Sequence, residues 1–232
     1  MFADRKKTNN PITNQLTAVT NSNPIFTQFS TLGIIALIPS ELPDHRILEV
    51  ADALLAAPVL ATQIVPNGDN AFDTIQTFRQ RAGDNMLIGL DRVETLDELK
   101  AAIKAGAQFA SSGGDFHLPL LAYAKKHDFA FIPTVHSPGQ TLMAYHAGAR
   151  WQKIRDDIDA DGLEGLLERS AEIGYQPNYI INQIETGNID VALEIGAKMV
   201  CVNDIYLDHD QPMSDIILRA RAARRIWLDT QL

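Results

Sequence analysis

Short apolar runs alternate along the chain with longer stretches in which apolar residues recur at helical spacing. The runs fall at residues 32–38 (LGIIALI), 60–65 (LATQIV), 86–90 (MLIGL), 108–112 (QFASS), 129–135 (FAFIPTV), 150–154 (RWQKI), 178–184 (NYIINQI) and 198–203 (KMVCVN). Each has strand length, and their nearly continuous apolar character suits strands covered on both faces. Between them, residues 43–57 put Ile47, Val50, Ala51, Leu54 and Leu55 on one stripe, and residues 71–81 repeat the pattern with Ile75 and Phe78. Thr95 followed by Glu98 is a capping box and opens the next helix. Further helices are predicted over 118–127, 138–147, 163–173, 189–195 and 213–228. Three helical stretches close on Ala105-Gly106-Ala107, Ala147-Gly148-Ala149 and Ile195-Gly196-Ala197, where glycine can turn left-handed and end a helix just ahead of a strand.

Eight strands alternating with helices predict a single-domain (β/α)8 TIM barrel, and 232 residues is close to the usual size of one. Residues 1–30 read as a lead-in, with a short helix over 14–30 covering the barrel floor, and residues 31–232 as the barrel itself. Chemistry in such a barrel sits at the C-terminal ends of the strands. Those ends carry Gln63 and Asn67, Asp91 and Arg92, Ser111 to Gly114, Thr134 and His136, Lys153 and Arg155, Thr186 to Asn188, and Asn203 and Asp204. The set is polar and rich in small residues, as suits a rim that faces a ligand.

Composition narrows the partners. With 29 acidic and 20 basic residues the net charge is −9, which argues against a nucleic-acid partner, since a phosphate backbone calls for a basic surface. No apolar run approaches the roughly 20 residues of a membrane span, and the first residues lack the apolar segment of a secretory signal. The one cysteine, Cys201, lies in an apolar strand, so no disulfide framework exists and a reducing, cytoplasmic location is expected. Cys201 itself reads as core filling.

Lys153 is the most informative single residue. It lies inside Trp151-Gln152-Lys153-Ile154, where an unpaired ammonium would be costly to bury. Alternation places Trp151 and Lys153 on one face of the strand and Gln152 and Ile154 on the other. If Lys153 faces the axis, burial favours the neutral amine, the form that attacks a carbonyl to give a Schiff base. The structural alternative is a lysine that snorkels to solvent, or one paired with Asp156 or Asp157.

From Gly33 to Leu207 the chain resembles the 2-keto-3-deoxy-6-phosphogluconate / 4-hydroxy-2-oxoglutarate (KDPG/KHG) aldolases. The resemblance is strongest in LIGLDRVETLDELKAAIKAGAQFASSGGDF and FIPTVHSPGQTLMAYHAGARWQKI, whose Gly, Ala and Pro positions coincide with the family pattern. It implies a compact, trimeric (β/α)8 barrel, a class I lyase acting on a small 2-oxo acid without a cofactor, and Lys153 as the Schiff-base lysine. The family's proton-shuttling carboxylate falls on Gln63, which cannot act as a base at neutral pH, and its carboxylate-binding arginine falls on Asn67. Arg92, in the turn Gly89-Leu90-Asp91-Arg92, is a candidate to bind the substrate carboxylate instead. Ser112 and Thr134 are candidate substrate contacts on strands four and five. The family's phosphate-binding turn corresponds to Thr186-Gly187-Asn188 and its later glycine turn to Val202-Asn203-Asp204, where Asp204 would repel a phosphate.

His136, after strand five, could supply the acid/base function that Gln63 cannot; His117 is a second candidate, while His45, His127, His146 and His209 look like surface or helix residues. Residues 157–168 satisfy EF-hand spacing, but Glu164 stands where an aliphatic residue belongs, so an acidic loop opening a helix is the preferred reading and no metal is expected. Two other functions compete with the lyase. One is a barrel that binds a small sugar acid but has lost the chemistry; the other is a metal-dependent reaction built on residues 156–161.

Overall fold

The computed structural model describes residues 23–114, 117–155, 160–172 and 174–231. Nine parallel strands form one sheet: β1 (Ile34–Pro39), β2 (Ala61–Val65), β3 (Leu87–Val93), β4 (Phe109–Ser112), β5 (Ala130–Ile132), β6 (Thr134–Val135), β7 (Trp151–Ile154), β8 (Asn178–Ile184) and β9 (Met199–Val202). Their order is β5-β4-β3-β2-β1-β9-β8-β7-β6. The two ends of that list are halves of one predicted strand, divided at Pro133, which has no N–H to give to a ladder. β5 pairs with β4 and β6 with β7, so the nine segments close the expected (β/α)8 barrel.

Nine helices are described: α1 (Pro24–Leu32), α2 (Asp44–Ala56), α3 (Ala71–Ala82), α4 (Leu96–Ala105), α5 (Leu118–Lys126), α6 (Pro138–His146), α7 (Ala160–Glu172), α8 (Ile189–Glu194) and α9 (Met213–Asp229). α4 opens on the capping box read from the sequence: Thr95 accepts from the Glu98 N–H, and the Glu98 carboxylate accepts from the Thr95 N–H. No helix among the described residues is long and apolar enough to cross a membrane.

The helix expected over 14–30 is corrected to α1. Asn23 Oδ1 accepts from the Ile25 N–H and Pro24 stands at the first helical position, a cap and a φ preset that start the helix there; residues 14–22 lie outside the described ones. α7 begins at Ala160 rather than at 163. Residues 160–168 are therefore helical and do not form the second part of an EF-hand loop, and residues 157–159 lie outside the description.

Side chains divide by strand alternation into two layers. Ile34, Ala36, Ile38, Ile64, Ile88, Leu90, Ile154, Ile181 and Val200 point outward into the layer beneath the helices. Ile35, Leu37, Leu87, Phe109, Ile132, Trp151, Ile180, Met199 and Cys201 fill the barrel interior around Phe29 of α1. The Phe29 ring stands edge-on to Phe109 and Trp151, with centroids 5.1 and 5.5 Å away, so α1 plugs the N-terminal end with one aromatic. Gly89 makes room for this filling, because a Cβ there would come within 2.5 Å of the Phe109 ring.

Phe29 is fully buried, so Phe29→Ala is expected to cost about 3–5 kcal/mol through lost transfer energy and the cavity left behind. Urea unfolding would measure this; a loss below about 1 kcal/mol would show that α1 is not part of the core.

Candidate active site

Near the C-terminal end of the barrel the apolar interior gives way to polar side chains. Lys153 on β7 faces the axis with Trp151 below it, while Gln152 and Ile154 face outward; Gln152 Nε2 donates to the carbonyls of Thr141 and Ala149. Lys153 is 1% exposed, yet its ammonium is not isolated. Nζ donates to Asp91 Oδ1 at 2.7 Å, Gln63 Oε1 at 3.2 Å and Ser111 Oγ at 3.4 Å. Among the described residues its charged partner is Asp91; Asp156 and Asp157, the partners considered from the sequence, lie outside them. An ammonium has three N–H donors, and all three are used.

The partners hold one another. Ser111 Oγ donates to Asp91 Oδ1 at 2.6 Å, and Gln63 Nε2 donates to Ser111 Oγ at 2.8 Å and to the Leu90 carbonyl at 3.2 Å. Gln63, Asp91 and Ser111 are each at most 1% exposed. Asp91 Oδ2 is buried and has no hydrogen-bond partner among the described residues. Cys201 Sγ lies 4.0 Å from Gln63 Oε1, and burial pushes its thiol up to about 12, with Lys153 pulling down and Asp91 pushing up more weakly. The thiol is inert, as expected of core filling.

A bulge aims Asp91. Leu90 pairs with Ala110 but Val93 with Ser112, so β3 fits one extra residue against β4. Leu87 and Gly89 already point inward; Asp91 continues that face, and Arg92, at φ 53°, absorbs the extra step and emerges exposed on the rim. Bulges next to active sites commonly re-aim side chains in this way. β8 carries a similar irregularity between Ile181 and Ile184, with Gln183 at φ 52°.

The remaining candidates lie away from the amine or are engaged by the fold. Ser112 Oγ accepts from the Thr134 N–H at 2.7 Å, and Thr134 Oγ1 donates to the Ser112 carbonyl at 2.5 Å. These two side chains splice β4 to β6 across the Pro133 break. Asn67 is exposed on the rim and donates to Glu41 Oε2. The His136 backbone N–H donates to Gln140 Oε1, and the His136 ring is not among the hydrogen-bond partners of Lys153. His117 is the exposed residue before α5. The turn Thr186-Gly187-Asn188 is closed by Asp204, whose Oδ1 accepts from both the N–H and the hydroxyl of Thr186, at 3.0 and 2.7 Å. Asn203 is exposed beside it. Asp91 is a strand-end residue in the sequence, and its place two residues after Gly89 and four after Leu87 is the signal that it faces inward.

The site is thus a buried lysine on the seventh strand segment, hydrogen-bonded to a carboxylate at the C-terminal end of a parallel barrel. The chain matches the sequence model for KDPG and KHG aldolases over residues 25–168, more than half its length, and belongs to that family of lyases. No curated protein matches it in sequence. Among solved structures it is similar to the 2-keto-3-deoxy-6-phosphogluconate aldolase of Zymomonas mobilis bound to 3-phosphoglycerate, with a TM-score of 0.75 and 15% identity over 87% of this chain and 96% of that one. The KDPG aldolase of Legionella pneumophila, with pyruvate captured as a covalent carbinolamine, gives a TM-score of 0.69 and 19% identity over 87% and 95%. Thiamine phosphate pyrophosphorylase of Pyrococcus furiosus gives 0.66 and 14% over 88% and 98%. At these identities the structural likeness concerns the fold, which hosts more than one chemistry.

Removing one member of a buried ion pair leaves the other charge uncompensated. Lys153→Met or Asp91→Leu alone is expected to lower stability by about 3–5 kcal/mol, and the double variant to recover most of that loss. Additive losses in urea unfolding would show that the two groups are not coupled.

Proposed function

We propose that the protein is a class I aldolase, a carbon–carbon lyase that forms a Schiff base between Lys153 and a small 2-oxo acid of the 2-keto-3-deoxy sugar acid or 4-hydroxy-2-oxoglutarate kind. The observation that carries this reading is the Lys153 amine, buried, facing the barrel axis and 2.7 Å from a carboxylate that can take its proton. The amine attacks the C2 carbonyl, the oxygen leaves as water, and the resulting iminium draws electrons from the neighbouring carbon–carbon bond. Arg92, raised onto the rim by the β3 bulge, is proposed to hold the substrate carboxylate through its planar fork. The Legionella neighbour with pyruvate held as a carbinolamine supports the same chemistry here.

The substrate is proposed to be unphosphorylated. The Thr186 donors that would meet a phosphate already serve the carboxylate of Asp204, and a second anion there would face a like charge.

A barrel that binds a sugar acid without turnover is the competing reading, and the Lys153–Asp91 ion pair is what favours it, because a paired ammonium is not a nucleophile until it gives up its proton. Incubation with pyruvate and borohydride, followed by peptide mass spectrometry, decides between them. The aldolase is expected to carry a reduced pyruvyl adduct on Lys153, whereas stabilisation by sugar acids with no adduct would establish the binding protein. In the active protein, Asp204→Ser is expected to raise kcat/KM for a phosphorylated 2-oxo acid, relative to its unphosphorylated counterpart, by about tenfold or more, since like charges in contact cost several kcal/mol. An unchanged ratio would show that Asp204 does not set this preference.

A further inference from the structure

We infer that Asp91 on β3 is the proton-transfer residue of this site, the carboxylate having moved one strand away from position 63 on β2; this rests on the Schiff-base reading above. Three observations carry it. Asp91 touches the reacting nitrogen directly, with Oδ1 2.7 Å from Lys153 Nζ. Its other oxygen, Oδ2, is buried without a hydrogen bond among the described residues, which leaves a lone pair beside the amine for a proton that is not part of the resting network. Gln63 reaches the same nitrogen at 3.2 Å from the neighbouring strand, so a carboxylate at 63 or at 91 would address the same atom, and only 91 carries one.

Ser111 and Gln63 are positioning residues in this scheme. Ser111 Oγ donates to Asp91 Oδ1 at 2.6 Å, and Gln63 Nε2 holds that hydroxyl from behind at 2.8 Å. Together they fix one oxygen of Asp91 and leave the other for chemistry.

Asp91 takes a proton from the Lys153 ammonium, and the freed lone pair attacks C2 of the 2-oxo acid. The C–N bond forms as the carbonyl π pair moves to oxygen, which takes the proton back from Asp91. A second protonation, from the nitrogen-bound hydrogen by way of Asp91, lets that oxygen leave as water and gives the iminium. In the cleavage direction Asp91 then removes the proton of the C4 hydroxyl. The C3–C4 pair becomes the enamine, the aldehyde departs, and Asp91 returns the proton to C3. No oxidant, metal or cofactor is needed for this balance.

The test uses full-length protein and pyruvate in deuterium oxide, with exchange of the pyruvate methyl hydrogens followed by proton NMR and borohydride trapping run in parallel. Asp91→Asn is expected to slow exchange by about 100- to 10,000-fold, the usual worth of a positioned acid/base, while prolonged trapping still labels Lys153. The double variant Asp91→Asn/Gln63→Glu, which returns a carboxylate to the amine from the other strand, is expected to regain at least about tenfold of that loss; it also carries the test should Asp91→Asn alone fail to fold. Trapped wild-type protein whose exchange survives Asp91→Asn, or a folded double variant with no recovery, overturns the assignment and leaves the aldolase reading standing. A wild-type protein that neither traps nor exchanges overturns both.

Discussion

An ammonium and a carboxylate taken out of water each cost several kcal/mol of hydration, and only close geometry with saturated hydrogen bonding offsets that loss. The Lys153–Asp91 pair meets the requirement at 2.7 Å, with both side chains 2% exposed, and the surrounding architecture follows from keeping them so. Its members and their supports come from four strands: Gln63 from β2, Asp91 from β3, Ser111 from β4 and Lys153 from β7. Those strands bring their side chains to one point only because the sheet closes on itself. The closure passes through Pro133, where Ser112 and Thr134 replace the ladder bond that proline cannot make. The splice and the ion pair are therefore parts of one mechanical unit.

Irregularities at the strand ends decide which groups face in and which face out. Without the extra residue in β3, strict alternation would send Arg92 toward the helix layer along with Leu90; the left-handed backbone at Arg92 instead lifts the guanidinium to the rim and leaves the carboxylate of Asp91 inside. On the opposite side of the barrel, the turn after β8 is tied down internally by Asp204. One side of the rim thus carries the exposed cation of Arg92, and the other the carboxylate of Asp204.

Much of this was legible in the chain. The strand cadence, the glycines that end helices and the Thr95–Glu98 box all depend on neighbours within a few residues, and alternation was enough to turn Trp151 and Lys153 to the same face. The partner of Lys153 was not legible, because Asp91 lies 62 positions away and local periodicity says nothing about which strand ends converge. A nearby aspartate in sequence looked the better partner for the same reason. The start of α1 differs from the expected one although its signals, Asn23 and Pro24, stand in the sequence; the helix expected over 14–30 runs through them. A hydroxyl on an inward strand end, such as that of Ser112 or Thr134, looks the same in sequence whether it meets a substrate, repairs a broken ladder or does both.

The aromatic filling beneath the site has a consequence for proton traffic. Phe29, Phe109 and Trp151 pack edge to face directly below the hydrogen-bonded cluster and are at most 3% exposed. Hydrocarbon conducts no protons, so these rings separate the amine from the N-terminal end of the barrel. Proton exchange between the cluster and bulk water is thereby directed to the C-terminal end of the barrel, where Asn67 and Arg92 are exposed.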